Sequence, residues 1–263
     1  MNTTLRRARV FVGTLCSGEG DFDSCCEIIA HQREVDITHV VISDLPERQA
    51  HNALWNAWNA AKANHDMFLK VDADTVLSTE LIVAQIWKIM RDNPRVTGIQ
   101  LPIHDYFTDG PIAGLNAFSP KVVFSETRDD LFCDRVDSGH DIVFKVPPSP
   151  SCDIAFHDVA KNMGINAYVS PVPVANHCHE ANDAQAFHFG LHRALKRQTD
   201  VIARVHAAFK RDHDRLRGLA LSGADAAVKF NDRHRDFNYT DTAFKAAFGA
   251  ALVHADDVWR AGS

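Results

Sequence analysis

The chain lacks any run approaching the ~20 apolar residues of a membrane-spanning helix, and it has no internal repeat and no low-complexity tract. Its six cysteines, at 16, 25, 26, 133, 152 and 178, form no C-x-x-C pair and no framework spacing. Cys25 and Cys26 are neighbours in a predicted helix and point apart, so a reducing compartment is the simpler expectation. The amino terminus runs from Met1 through Arg6, Arg7 and Arg9 into a short apolar strand without a signal-peptide core. Together these features give the expectation of a cytoplasmic protein. Excess positive charge is also missing: a net charge of -6 argues against a protein whose main task is gripping nucleic acid. Two local basic stretches, His192 to Arg197 and Arg211 to Arg217, read as solvated helix faces, with an anionic lipid or glycan as the alternative contact.

What is present is the composition of an ordinary folded domain, 46% hydrophobic and 24% charged over 263 residues. Val10 to Leu15 reads as a buried strand that ends in Cys16-Ser17-Gly18-Glu19-Gly20, after which Asp21 is placed to cap a helix over 22–31. His39 to Ser43 reads as a second strand, and Pro46 opens a helix over 47–63. Met67 to Val71 is a third strand. Ser78 is placed to cap a helix marked by Ile82, Ile86 and Ile89 and ended by Asn93-Pro94, and Val96 to Leu101 is a fourth strand. Strands alternating with helices at this spacing predict an α/β fold, a mostly parallel sheet with right-handed crossovers flanked by helices.

Between 102 and 151 the periodicity fails, amid glycines and prolines, and the stretch reads as a long functional loop. A helix over 153–163, a short strand over 166–169, a long amphipathic helix over about 183–210 and a further helix over 242–259 complete the prediction.

Val71-Asp72-Ala73-Asp74-Thr75 carries the strongest chemical signal. Two carboxylates one residue apart on a strand's exit loop repel each other unless a positive charge sits between them. A divalent ion bridging phosphate oxygens supplies that charge in nucleotide-diphosphate sites. Solvated surface turns carry the same triplet. Its place after two strand-and-helix units puts it instead at the carboxyl edge of a parallel sheet, where open α/β folds bind ligands.

With that placement, the first two thirds of the chain resembles the family-2 glycosyltransferases of the GT-A fold. The likeness rests on an ordered series: Arg9 to Thr14 as opening strand, Val40 to Asp44 as second strand, and Phe68 to Asp74 as the acid-bearing strand. Gly114-Leu115-Asn116 in a central loop, Cys152-Asp153 before Gly164, and His177 follow. The resemblance implies a nucleotide-sugar-binding and catalytic core over 1–180 and a helical extension over 181–263. It implies a donor site of Thr14, Asp44, Asp72, Gly114 and Asn116, with Thr14 and Asp44 at the nucleobase. A divalent metal, Mn2+ or Mg2+, is expected at Asp74, Asp72 and His177, a UDP-sugar as donor and a glycan or other hydroxyl as acceptor. Asp153 is expected as the base of an inverting transfer. The pattern departs at Cys152, where the family has a glutamate, and at Val159, where it has an arginine. Asp141 and Asp158 are alternative bases, and His51-Asn52 and Asn56 are candidates for an expected Arg-Asn pair.

Other readings stay open beside it: a nucleotidyltransferase on a related core, or a nucleotide-sugar-binding protein without catalysis. His188 and His192 have the i, i+4 spacing of a zinc pair, but Phe189 stands where a zinc hydrolase needs its glutamate. His177-Cys178-His179, read as an extended segment, turns both imidazoles to one side, where they could share an ion or form a structural corner. Trp55, Trp58 and Trp87 read as packing residues. Tyr106 and Phe107 also read first as packing residues, with stacking on a sugar the alternative.

Overall fold

The computed structural model of the chain describes residues 6–94, 98–124, 144–145, 173–230, 239 and 241–261. Its elements begin with β1 (Ala8–Cys16), α1 (Phe22–Ala30), β2 (Val35–Ser43), α2 (Glu47–Ala61) and β3 (Met67–Lys70). β4 (Thr75–Leu77), α3 (Ile82–Asp92), β5 (Gly98–Asp105), β6 (Gly110–Phe118), β7 (Val123–Phe124) and β8 (Phe144–Lys145) follow. β9 (Ala175–His177) leads into the helices α4 (Asp183–Leu195), α5 (Thr199–Asp212), α6 (Arg215–Phe230) and α7 (Thr242–Ala261).

Seven strands form one sheet in the order β2-β1-β3-β6-β5-β9-β4. β1 runs parallel to β2 and β3, β6 is antiparallel to β3 and β5, β9 is parallel to β5, and β4 is antiparallel to β9. Five of the seven strands therefore point one way. The sheet is mixed and mostly parallel, and with its flanking helices makes an α/β layer compatible with a Rossmann-like arrangement.

Strand alternation builds a core on each side of this sheet. Val10 and Val12 of β1, with Met67 and Leu69 of β3, pack on one face against Cys25 and Ile29 of α1 and Ile82, Val83, Ile86 and Met90 of α3. Phe11 and Phe68 turn to the other face, where they meet Leu54, Trp55 and Trp58 of α2 with Phe118 and Phe124. Trp55 and Trp58 are fully buried there, Trp58 stacked on Phe68 with ring centroids 5.2 Å apart. Sheet and aromatic packing therefore follow the sequence pattern.

Several local expectations fail, each for a tertiary reason. The stretch after Leu101 is not irregular from the start: β5 continues to Asp105 and pairs with β6 as a hairpin, so Gly114 to Asn116 lie in a strand rather than a loop. β4 and β9 are too short to show periodicity, at three residues each. Asp21 occupies the position before α1 without capping it, because its carboxylate accepts the Glu180 N–H at 3.1 Å. Ser78 lies too far upstream to cap α3, whose first flanking residue is Leu81. The long helix expected over 183–210 is two, broken at Arg197, which has a φ of 57°, and α6 was not foreseen. Much of the basic stretch that hides α6 is consumed internally. Arg211 pairs with Asp109 at 2.5 Å and Arg215 with Asp183, while the buried Arg217 pairs with Asp212 and donates to the carbonyls of Tyr106 and Phe107. Tyr106 and Phe107, by contrast, have the internal partners expected of packing residues: Phe107 stacks on Phe189 and the Tyr106 hydroxyl donates to Asp214.

α4 and α6 cross with almost no room between backbones. A Cβ on Gly190 would stand 1.6 Å from the Ala220 carbonyl oxygen, and one on Gly223 2.0 Å from that of Phe187. Gly190→Ala gains about 1 kcal/mol of helix propensity, but a backbone oxygen cannot swing aside, and overpacking costs about 1–3 kcal/mol or more. We expect Gly190→Ala to be net destabilising by about 2 kcal/mol in a thermal melt; an unchanged melting point would contradict so close a crossing.

Candidate functional site

The carboxyl ends of the five co-directional strands meet on one edge. There the Asp72–Asp74 loop follows β3, Asp44 follows β2, and Cys16, Asp105 and His177 end β1, β5 and β9. Backbone hydrogen bonds extend the register past the strand ends: Val71 N–H donates to Gly13, Ala73 N–H to Leu15 and Asp44 N–H to Cys16. β4, directly after the acid pair, places Thr75 opposite His177.

Each acid of the pair has a cation of its own. The Lys70 ammonium, whose side chain is 1% exposed, lies 2.5 Å from Asp72 Oδ1. His177 lies between two carboxylates, with Nδ1 2.8 Å from Asp105 Oδ1 and Nε2 3.4 Å from Asp74 Oδ2. Asp105 is fully buried, and its second oxygen accepts the Thr108 N–H at 2.7 Å. Burial alone would push the Asp74 carboxyl up. The positive charge and hydrogen bond of His177, the Cys178 hydrogen bond and Lys70 outweigh burial and hold it well below its usual range. Asp105 is likewise lowered against burial, by the hydrogen bond and charge of His177. Burial would lower His177, but the negative charge of Asp74 and the hydrogen bonds to Asp105 and Asp74 raise it well above its ordinary value.

Cys178 completes the cluster. Its Sγ lies 3.3 Å from Asp74 Oδ2 and 3.6 Å from His177 Nε2, and its N–H donates to the Asp74 carbonyl at 2.8 Å. Consecutive residues of an extended strand face opposite ways; Cys178 escapes that rule because its φ is 58°, a turn that returns its side chain to the His177 side. The same turn separates the two imidazoles expected to act together, and His179 contacts His104 at 3.2 Å instead. Among the described residues, Asp74, His177 and Cys178 are the group whose ligand atoms converge as a metal would require, all within 4.8 Å of one another. One oxygen, one nitrogen and one sulfur donor, backed by a buried carboxylate on the imidazole, fit a divalent ion. Asp72, engaged by Lys70, is not in this set.

The loop after β1 lies near the cluster, close enough for Glu19 and Asp21 to feel the charge of Asp74. Burial, more than the charge of Asp74, pushes the Glu19 and Asp21 carboxyls up. Gly20 lets this loop approach the β9–α4 connection, since a Cβ there would meet the Glu180 carbonyl at 2.0 Å. Gln185, half of the Asn182–Gln185 capping box of α4, also accepts the Gly20 N–H.

Of the remaining expected residues, Thr14 is buried with its hydroxyl 2.9 Å from His39 Nε2, a partner that sequence reasoning missed. Asp44 is exposed at the strand end with a φ of 60°. Asn116 is buried opposite Lys70 in β6 and donates to the Gly114 carbonyl at 3.0 Å. His188 and His192 share a helix face, but His192 lies 3.6 Å from Glu47 and His188 packs on Tyr239 and Phe244. Asp153 and its alternatives Asp141 and Asp158 lie outside the described residues.

No family model and no curated protein matches the chain. Among solved structures it is similar to a mannosyltransferase from Pyrobaculum calidifontis in complex with GDP-Man and Mn2+. That similarity is distant, at 14% identity and a TM-score of 0.39 over 94% of this chain and 81% of the other. Likeness at that level carries no functional argument, which must come from the site itself. Among the described residues, no helix is long and apolar enough to cross a membrane.

His177→Gln in metal-free protein tests the charge chain, because it leaves Asp105 buried without its cation, a loss of about 3–5 kcal/mol. The raised His177 contributes stability fully below its ordinary value of 6.5 and loses it as pH rises through its higher folded value. The lowered Asp74 and Asp105 contribute above their ordinary 3.8 and lose it as pH falls through their folded values. Denaturation curves should therefore show the widest gap between wild type and variant at pH about 4–6.5, narrowing on the alkaline side. A gap independent of pH would mean that His177 is not charged in this pair.

Proposed function

We propose that the chain is a metal-dependent glycosyltransferase with a GT-A core, moving a sugar from a nucleotide-diphosphate donor, by family analogy a UDP-sugar, to a hydroxyl acceptor. One observation carries the proposal. The second acid of the Asp72–Asp74 pair, rather than pointing to solvent, converges at a sheet's carboxyl edge with His177, which Asp105 fixes from behind. Surface turns that happen to contain two aspartates have no such support.

In this proposal Asp74 Oδ2 and His177 Nε2 would hold the ion, and a bound divalent ion would neutralise charge on the departing diphosphate. Asp105 accepts a hydrogen bond from the His177 Nδ1–H and so leaves Nε2 as the atom offered to the site. Lys70 holds the Asp72 carboxylate in place and cancels its charge, leaving that side chain to orient the donor rather than to repel its phosphates. Thr14 and Asp44 lie towards the ends of β1 and β2, on the side assigned to the nucleobase, and on β6 Asn116 stands opposite Lys70, two residues from Gly114. Asp153 is the proposed base, taking the acceptor's proton as its oxygen attacks the anomeric carbon, with inversion there.

Two measurements test this function. In a thermal-shift panel of nucleotide sugars with and without manganese, a true donor together with the ion should raise the melting point, by about 2.7 kcal/mol of stabilisation at a hundredfold excess over Kd. Asp74→Ala should abolish metal-dependent transfer or donor hydrolysis while far-ultraviolet circular dichroism stays that of the wild type. An unchanged rate would remove the acid pair from the mechanism.

A further inference from the structure

The donor atoms around Asp74 are not those that manganese or magnesium prefers. Both are hard ions that favour oxygen, whereas thiolate sulfur selects zinc-like ions. The spacing agrees with a small tetrahedral ion. Around such an ion, with oxygen and nitrogen at about 2.0–2.2 Å and sulfur at about 2.3 Å, oxygen and nitrogen ligands stand about 3.3–3.5 Å apart and either stands about 3.5–3.7 Å from sulfur. In this structure Asp74 Oδ2 and His177 Nε2 are 3.4 Å apart, Asp74 Oδ2 and Cys178 Sγ 3.3 Å, and His177 Nε2 and Cys178 Sγ 3.6 Å. Two sides of the triangle already match one tetrahedral face, and the oxygen–sulfur side need only lengthen by about 0.2–0.4 Å.

The surroundings hold that triangle in place. The left-handed backbone at Cys178 and the hydrogen bond from its N–H to the Asp74 carbonyl aim the sulfur at the carboxylate. His177 has the buried Asp105 on its far nitrogen, the arrangement that orients metal-bound imidazoles. Three protein ligands leave a fourth position for water or a phosphate oxygen, as in catalytic rather than structural sites.

We propose that Cys178 is the third protein ligand of the ion held by Asp74 and His177, and that the site therefore favours thiophilic divalent ions, zinc and cobalt, over manganese and magnesium. The inference rests on the metal reading of Asp74 and His177 given above. On binding, the ion displaces two protons to solvent, that of the Cys178 thiol and that on His177 Nε2, and forms one metal–sulfur and one metal–nitrogen bond, with no change of oxidation state.

The test uses the full chain stripped of metal and titrated with cobalt, zinc and manganese. Cobalt should give the near-ultraviolet charge-transfer absorption of a thiolate–cobalt bond in wild type, and that band should vanish in Cys178→Ser and Cys178→Ala. Zinc affinity should fall roughly tenfold or more in both variants, while manganese affinity changes less than about threefold. X-ray absorption of the zinc-loaded wild type needs no variant and should show a sulfur neighbour at about 2.3 Å, absent from zinc-loaded Cys178→Ser. Cobalt bound without the band, or zinc bound equally well by wild type and Cys178→Ser, overturns the proposal. Manganese bound by wild type and lost in Asp74→Ala, with no thiolate band, leaves the ion site standing and removes Cys178 alone. No binding of any of the three ions overturns both.

Discussion

A histidine held between two aspartates is the interaction on which this site depends. Asp105 has no exposure to solvent, and a carboxylate there is tolerable only with a cation and hydrogen bonds in contact. His177 supplies the cation, and the Thr108 N–H satisfies the second oxygen. Once the imidazole is pinned on that side, its other nitrogen has one direction left, and Asp74 stands in it. The chain from Asp105 to His177 to Asp74 thus joins the ends of β5 and β9 to the loop after β3.

That join explains features that would otherwise look unrelated. β4 and β9 are too short to stand as a sheet of their own, yet their pairing sets Thr75 against His177 and so fixes the histidine's height relative to the acid pair. Gly20 and the Asn182–Gln185 capping box bring the loop after β1 onto the segment that carries Cys178. The C-terminal helices close the same region from behind. Phe189 of α4 stacks on Phe107, in one apolar cluster with Cys178.

The two acids of the triplet have different surroundings despite being one residue apart. Asp72 faces a buried lysine from the preceding strand, whereas Asp74 faces the last residue of β9, a histidine, and the cysteine that follows it, about a hundred residues later in the chain. Within the protein each acid therefore has a cationic side chain against it before any external ion is considered. An ion at Asp74 would replace protons already held there by His177 and Cys178.

The sequence by itself determined the layers and their order. Alternation in Val10 to Val12 and Met67 to Leu69 against the stripe of Ile82 and Ile86 requires a buried sheet flanked by helices, and the position of Asp72 and Asp74 at the end of such a strand follows from the same local pattern. What tertiary structure alone decided was which side chains meet those acids. Lys70 was one residue inside an apolar run, Asp105 lay in a stretch without periodicity, and Cys178 would face away from His177 in any extended strand. Each reaches the site through a register across the sheet or a single left-handed residue, and contacts between strands far apart in the chain leave no mark on local hydrophobic periodicity.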